Sequence, residues 1–135
     1  MIYTRIMAVE FNHCDPAGIV FYPRYFEMTN SLVENFFADV MGHSFGRMME
    51  LGQGVPTARL EVNFKLPSRL GDRLEWRLAV VRIGGSSVNF IATAMAGDQV
   101  RLTADLTLVW VNAGIPTPWP DAMRAKFDDF KGDSA

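Results

Sequence analysis

The sequence predicts an α+β fold in which a five-stranded antiparallel sheet wraps around one long central helix. The first observation is a broad apolar stripe at steps of three and four residues between Tyr25 and Met41, which indicates a deeply buried helix. The second is a series of four later segments in which apolar and polar residues alternate, as in half-buried strands. Short glycine turns join these segments, so neighbouring strands should pair antiparallel. A strongly twisted sheet of long strands can curl around a single helix.

The helices are predicted from apolar periodicity and from their end signals. The long helix should stop at Gly42, because glycine readily adopts the left-handed conformation that ends helices. A short second helix is expected between Ser44 and Leu51, and a third after Pro120. The breadth of the apolar stripe on the long helix indicates that it lies in the core, not on a surface.

The strands are predicted from alternation alone. In the most regular segment, Leu102, Ala104 and Leu106 alternate with Thr103 and Asp105. The N-terminal segment has a mixed pattern and is the weakest of the five. Including that segment, strands are expected over residues 2–11, 59–66, 73–80, 87–95 and 100–110.

Length and proline spacing predict one domain with a short C-terminal appendage. The 135 residues match the size of a single domain, and 49% of them are apolar, which is enough for a packed core. Prolines at positions 116, 118 and 120 each remove a backbone donor and should end the last strand. The core is therefore expected over residues 1–113 and the appendage over 114–135.

Composition argues against a nucleic-acid or membrane partner. The net charge is −2 and no run of Lys or Arg occurs, so the electrostatic footprint of a nucleic-acid-binding surface is missing. No stretch reaches the ~18–20 apolar residues of a membrane-spanning helix. The single cysteine, Cys14, cannot form an internal disulfide, and no signal peptide is evident. We therefore expect a cytoplasmic protein.

The segment between the first strand and the long helix carries the most specific signal. It reads Asp-Pro-Ala-Gly-Ile-Val from Asp15 to Val20, followed by Tyr22-Pro23-x-Tyr25. On these residues, and more loosely on its strand order to about Asn112, the chain resembles the 4-hydroxybenzoyl-CoA thioesterase family of the hotdog-fold superfamily. The resemblance implies a single hotdog thioesterase domain that hydrolyses small aromatic or short-chain acyl-CoA thioesters to free acid and CoA. It implies no metal and no cofactor, since CoA is part of the substrate.

The same resemblance implies roles for two residues of this segment. Asp15 corresponds to the essential carboxylate of the family, and the backbone N–H of Tyr22 to the group that polarises the thioester carbonyl. In the family the acyl group and the pantetheine arm lie between two subunits, so we expect a homodimer or homotetramer. Elementary chemistry agrees, because hydrolysis puts negative charge on the carbonyl oxygen and a helix N-terminus offers unpaired N–H groups to receive it. A nearby carboxylate can act as a general base on water or as a nucleophile, and both remain open.

Each of these residues also has a simpler explanation. Asp15 before a proline is a common N-cap pattern. Gly18 can permit a tight turn, a close approach of ligand to the backbone, or both. His13 would share a face with Asp15 on an extended backbone and is a candidate substrate contact, but a merely hydrogen-bonded histidine is favoured. Cys14 is better explained as a small side chain that fills space in the core than as a nucleophile.

Candidate CoA-binding residues lie in the turn between the second and third alternating segments. Relatives hold CoA phosphates there with basic and hydroxyl groups, which correspond to Arg82, Ser86 and Ser87. This chain lacks the run of several basic residues that relatives have in this turn. The phosphates of bound CoA would therefore lie in solvent or contact basic residues of another subunit. A glycine hairpin with polar flanks explains the turn equally well.

Two other functions compete with hydrolysis. A hotdog hydratase or dehydratase acting on acyl thioesters would need a histidine paired with a carboxylate, and only His13 and Asp15 are available for that. A non-catalytic acyl-CoA-binding protein would keep the apolar pocket without using Asp15. Residues near the motif that are candidates for that pocket are Val20, Phe21, Phe26 and Val55.

Overall fold

The computed structural model describes residues 1–132. Its main sheet has five antiparallel strands in the spatial order β1-β4-β5-β6-β3, and a small second sheet has the order β2-β7-β8. The strands are β1 (Tyr3–Ala8), β2 (Gln53–Gly54), β3 (Thr57–Phe64), β4 (Arg73–Ile83), β5 (Ser87–Ala96), β6 (Gln99–Val109), β7 (Val111–Asn112) and β8 (Ile115–Pro116). The five long strands are those that alternation predicted, although β1 ends at Ala8 and is shorter than expected.

The long helix is present and ends where the sequence predicts. Helix α1 spans Pro23–Phe36, with a proline in its first turn, where a missing N–H costs no hydrogen bond. A π-helical turn, Phe37–Met41, continues it up to Gly42, whose φ of 64° is left-handed. The two shorter helices are α2 (Phe45–Glu50) and α3 (Asp121–Asp129).

The core lies between α1 and the concave face of the sheet. Alternate residues of β4, β5 and β6 are buried, and Trp76, Phe90 and Leu102 are at most 1% exposed. The buried stripe of α1 packs on them, with Leu32 and Phe36 fully enclosed. This is the hotdog arrangement of one helix wrapped by an antiparallel sheet, and the predicted fold class is confirmed.

Strand β3 departs from its alternation pattern. Among residues 1–132 it pairs only with β6 and forms an edge of the sheet, so the expected pairing with the next strand, β4, across the Gly71 turn is wrong. Its apolar residues face α1, but they are not covered, since Leu60 is 42% exposed and Phe64 is 51% exposed. Alternation reports which residues share a face, and here the helix covers only part of that face. An apolar groove therefore lies open along β3 and α1.

Residues of the predicted C-terminal appendage contribute to the packing. Strand β8 belongs to the second sheet, and the side chain of Phe127 on α3 is fully buried. The Phe127 ring stacks on Phe36 of α1 at a centroid distance of 6.2 Å and meets Trp119 edge-on at 4.8 Å. This segment therefore closes the end of the barrel-like sheet farthest from the start of α1.

Candidate active site

The Asp15 motif folds as a small hairpin between β1 and α1. The Phe21 amide donates to the His13 carbonyl at 2.9 Å, and the Asp15 amide donates to the Ile19 carbonyl at 3.0 Å. The turn at its tip is closed by the Gly18 amide, which donates to the Asp15 carbonyl at 2.9 Å. Gly18 has a φ of 79°, a conformation that other residues adopt only with strain.

A second loop holds this hairpin in place. The Val20 amide donates to the Ser68 carbonyl at 2.8 Å, and Ile19 forms an isolated antiparallel bridge with Arg69. Arg101 of β6 fixes the second loop, since its Nη1 donates to Asp72 Oδ2 at 2.8 Å and to the Ser68 hydroxyl at 3.2 Å. The hydrogen bond from the Arg69 amide and then the Arg101 guanidinium hold the pKa of the Asp72 carboxyl below its ordinary value.

The N-terminus of α1 presents one backbone donor that has no acceptor. The amides of Arg24 and Tyr25 donate to Phe21 and Tyr22 carbonyls at 2.9 and 3.1 Å, and Pro23 has no N–H. Among residues 1–132, the Tyr22 N–H has no hydrogen-bond acceptor. The unpaired amide lies at the positive end of the helix dipole, which suits a developing oxyanion.

Tyr22 lies on the wall of an open pocket of about 290 Å³ at the start of α1. The wall is mainly apolar, and it combines the site hairpin and α1 with the end of β3. Its residues are Ile19, Val20, Tyr22, Tyr25, Phe64, Lys65, Leu66 and Pro67. The last four were not predicted as site residues, because they are far away in the sequence. The apolar face predicted for residues 59–66 is the one signal that could have indicated them.

Asp15 lies beside this pocket without lining it. Its hydrogen bond to Ile19 places it directly across the hairpin from a wall residue. The half-buried carboxylate accepts a hydrogen bond from the Ala17 amide at 2.9 Å, within its own turn. The N-cap interpretation is wrong, since Tyr22 occupies the cap position of α1 and no side chain caps it. Asp15 stabilises the turn that precedes the helix, not the helix itself.

His13 is directed to a different pocket. The backbone at Phe11–His13 is a 3-10 turn, so the extended geometry that would have put His13 and Asp15 on one face is missing. Its Nδ1 accepts a hydrogen bond from the Glu10 amide at 2.8 Å, and its side chain lies near Met28 and Ser31 of α1. The structure therefore does not bring His13 to the pocket beside Tyr22.

The three candidate CoA-binding residues lie at the far end of the sheet. Arg82 and Ser87 line a groove of about 450 Å³ on the sheet, whereas Ser86 contributes its carbonyl to a 2.7 Å hydrogen bond from the Trp110 amide. Strand β4 begins close to the site hairpin and ends at Ile83, beside this turn. Ten steps of a strand at ~3.3 Å each separate the two ends by roughly 33 Å. A single chain thus does not bring these residues to the pocket beside Tyr22.

A second, smaller pocket of about 90 Å³ lies farther along α1. Of the residues predicted to line an acyl pocket, Val20 lines the first pocket, Phe26 and Val55 line the second, and Phe21 lines neither. The wall of the second pocket consists of Phe26, Thr29, Asn30, Val33, Phe45, Val55, Thr57, Leu60, Leu106 and Leu108.

Neither a metal-binding cluster nor a membrane-spanning helix is found between residues 1 and 132. No group of three or more His, Cys, Asp and Glu side chains in that range is placed to hold a metal ion. None of the helices in that range has the length and hydropathy that crossing a bilayer requires. Cys14 is a free, half-buried thiol packed against the core.

Comparison with known proteins adds a family and a set of similar structures. The thioesterase-like superfamily matches residues 9–127. A gentisyl-coenzyme A thioesterase superposes with a TM-score of 0.86 at 23% identity, covering 93% of this chain and 99% of that one. A 1,4-dihydroxy-2-naphthoyl-CoA thioesterase from Synechocystis superposes with a TM-score of 0.83 at 18% identity, covering 96% of this chain and 97% of that one. A Staphylococcus aureus hypothetical protein solved in complex with CoA superposes with a TM-score of 0.90 at 13% identity, covering 100% of this chain and 89% of that one.

At these identities the similar structures show the fold and no more. Comparison with curated protein sequences finds no match. The family match extends over the site hairpin, the pocket beside Tyr22 and most of α3.

Proposed function

The chain belongs to the thioesterase-like superfamily, and we propose that it is an acyl-CoA thioesterase. It would hydrolyse small aromatic or short-chain acyl-CoA thioesters to the free acid and CoA. The observation that carries the proposal is the unpaired Tyr22 N–H on the wall of an apolar pocket, at the N-terminus of the buried helix. The narrower likeness to 4-hydroxybenzoyl-CoA thioesterases stays a prediction.

The similar structures favour this class of substrate. Two of them are named as thioesterases of gentisyl-CoA and of 1,4-dihydroxy-2-naphthoyl-CoA, and a third was solved with CoA. The first pocket, at about 290 Å³, is larger than the ~150 Å³ cavity that accepts benzene, so an aromatic acyl group fits it. Its wall is mainly apolar and carries one cation, Lys65.

The reaction can be written with the groups that the site offers. Water attacks the thioester carbonyl carbon while the Tyr22 N–H donates to the oxygen that becomes negative. The tetrahedral intermediate collapses, the C–S bond breaks, and the CoA thiolate takes up a proton. Asp15 would accept the proton of the attacking water, or attack the carbonyl itself to form a mixed anhydride that water then hydrolyses.

We propose that a second copy of the chain completes the site. The groove along β3 and α1 leaves Tyr22 57% and Phe64 51% exposed, and β3 is an unpaired sheet edge. Edges and apolar faces of this kind are commonly covered by a second subunit. The CoA-binding role of Arg82, Ser86 and Ser87 then concerns a substrate bound at the site of a neighbouring subunit, in a homodimer or homotetramer.

The test is release of free thiol from a panel of acyl-CoAs, with benzoyl-CoA and butyryl-CoA as first probes. We expect turnover by the wild-type chain and a loss of about 100-fold or more in kcat for Asp15→Asn, with KM changed little. The matched control is Asp98→Asn, in the turn between β5 and β6, which should keep the full rate. Crotonyl-CoA separates hydrolysis from hydration, because a hydratase would consume the double bond without releasing thiol.

A non-catalytic acyl-CoA-binding protein is the second candidate, and one contact favours it. The carboxylate of Asp15 is engaged by the Ala17 amide of its own turn, as a purely structural aspartate would be. Such a protein would bind CoA esters, release no thiol from any of them, and keep its affinity in the Asp15→Asn variant. Equilibrium binding of benzoyl-CoA, measured beside thiol release, distinguishes the two functions.

A further inference from the structure

The groove between α1 and β3 contains two pockets placed one after the other. The first begins at Tyr22, and the second extends to Val33, eleven residues later on the helix and therefore ~16 Å farther along its axis. On the strand side, Phe64 belongs to the first pocket and Leu60 to the second, ~13 Å apart on the same face of β3. The two pockets thus follow one line away from the unpaired Tyr22 amide.

The aromatic ring of Phe64 lies between them. Its centroid is 6.2 Å from that of Tyr22, on the wall of the first pocket, and 6.5 Å from that of Phe26, on the wall of the second. Tyr22 and Phe26 also meet each other edge-on at 6.1 Å. Three rings in mutual contact form a barrier across the groove, and Phe64 is its contribution from the strand.

The two pockets differ in what they can hold. The first, at about 290 Å³, has room for a ring or a short chain. The second, at about 90 Å³, is smaller than the ~150 Å³ cavity that accepts benzene, so it suits a few methylenes and excludes a ring. Its walls are mostly aliphatic and aromatic, as a hydrocarbon chain requires.

We propose that Phe64 sets the upper length of the acyl group, a role that rests on the proposed thioesterase activity. An acyl chain whose carbonyl oxygen lies at the Tyr22 amide runs along the groove and ends at the Phe64 ring. Removing that ring joins the two pockets and extends the acyl site toward Leu60. Longer unbranched chains then become substrates, and each methylene newly buried raises kcat/KM by about four-fold.

The experiment is a chain-length profile of thiol release by the wild-type chain and by Phe64→Ala. We expect kcat/KM for octanoyl-CoA relative to butyryl-CoA to rise by about ten-fold or more in the variant. Phe64 is 51% exposed on an edge strand, so its truncation leaves the core intact. Ile6→Ala is the matched control, because Ile6 is 58% exposed on β1, at the opposite edge, and its loss should leave the profile unchanged.

A double variant makes the test specific to the second pocket. Adding Leu60→Trp to Phe64→Ala fills that pocket and should restore the short-chain profile. Active variants whose profile matches the wild type would overturn the role of Phe64 and leave the thioesterase proposal standing. Failure of the wild-type chain to release thiol from any acyl-CoA would overturn the proposed function, and the role of Phe64 with it. Size-exclusion chromatography verifies that all variants keep the wild-type assembly.

Discussion

Arg101 Nη1 donates a 2.8 Å hydrogen bond to Asp72 Oδ2, which joins the start of β6 to the loop before β4. The same nitrogen reaches the Pro67 carbonyl at 3.0 Å, so one guanidinium fixes both ends of the loop on which the site hairpin rests. The Arg101 side chain is only 13% exposed, and that of Asp72 is 31% exposed. The pair therefore positions the hairpin that carries Asp15, although neither partner lines the pocket beside Tyr22.

This pair should make stability depend on pH in the acid range. Because the pKa of Asp72 is lowered in the folded chain, its contribution is present above the ordinary pKa of an aspartate, ~3.9, and is lost as the pH falls through the lower folded value. Asp72→Asn should cost about 1 kcal/mol at neutral pH. The deficit should shrink below pH ~4. Urea unfolding across this range measures it, and a deficit independent of pH would contradict the assignment.

The fold was largely predictable, because alternation and helical periodicity are local properties. The core faces of β4, β5 and β6 and the stop at Gly42 follow directly from them. The exposure of β3 was not predictable, since burial of a face depends on what packs against it. Its apolar alternation matches that of a buried strand, yet Leu60 and Phe64 lie open.

The site was predictable only where one segment of chain forms it. Asp15 and Tyr22 lie in one motif, and the hairpin between them places Asp15 opposite Ile19, which lines the same pocket as Tyr22. Phe64 and Lys65 join the pocket through a contact between β3 and α1 that no local pattern encodes. The hypothesis that His13 contacts the substrate assumed extended backbone where the chain makes a 3-10 turn, whereas the favoured interpretation, a hydrogen-bonded histidine, agrees with the structure.

Gly18 should be required because of its backbone conformation, and not because a larger side chain would lack space there. Its φ is 79°, and no atom lies within 4 Å of the Cβ that a substitution would add. Gly18→Ala should therefore cost about 1–2 kcal/mol through strain alone, and lower kcat by distorting the Asp15 turn. Gly85 has equally open space without a positive φ, so Gly85→Ala is the control and should change neither quantity. Thermal unfolding and thiol release check both variants, and equal effects would contradict the argument.

Tyr3 should make stability depend on pH in the alkaline range. Burial first, and the 2.5 Å hydrogen bond to Asp39 second, raise the pKa of Tyr3 to about 12. Because the pKa of Tyr3 is higher in the folded chain than in the unfolded chain, its hydroxyl stabilises the fold at pH values below the unfolded pKa of ~10. This contribution is lost as the pH rises toward the folded pKa. Tyr3→Phe should cost about 1 kcal/mol at neutral pH. The gap in urea unfolding between the variant and the wild type should narrow as the pH rises from ~9 toward the folded pKa, and a constant gap over this range would contradict the assignment.

The Tyr22 amide can be removed with little effect on the fold. Tyr22 has a φ of −53°, within the range that a proline ring imposes, and its N–H has no acceptor in the part of the chain described. Tyr22→Pro therefore deletes the proposed oxyanion donor without deleting a hydrogen bond of the folded chain. The control is Tyr22→Ala, which loses the same aromatic ring but keeps the amide.

The comparison of these two variants isolates the donor from the side chain. Because one oxyanion donor contributes roughly 100- to 1,000-fold to kcat, Tyr22→Pro should fall below Tyr22→Ala by about that factor, while both unfold at similar temperatures. The KM of the two should stay close, since the donor acts on charge that develops after binding. Equal kcat values would mean that the carbonyl oxygen is stabilised elsewhere, and the start of α1 would then be a wall of the pocket and not its catalytic centre.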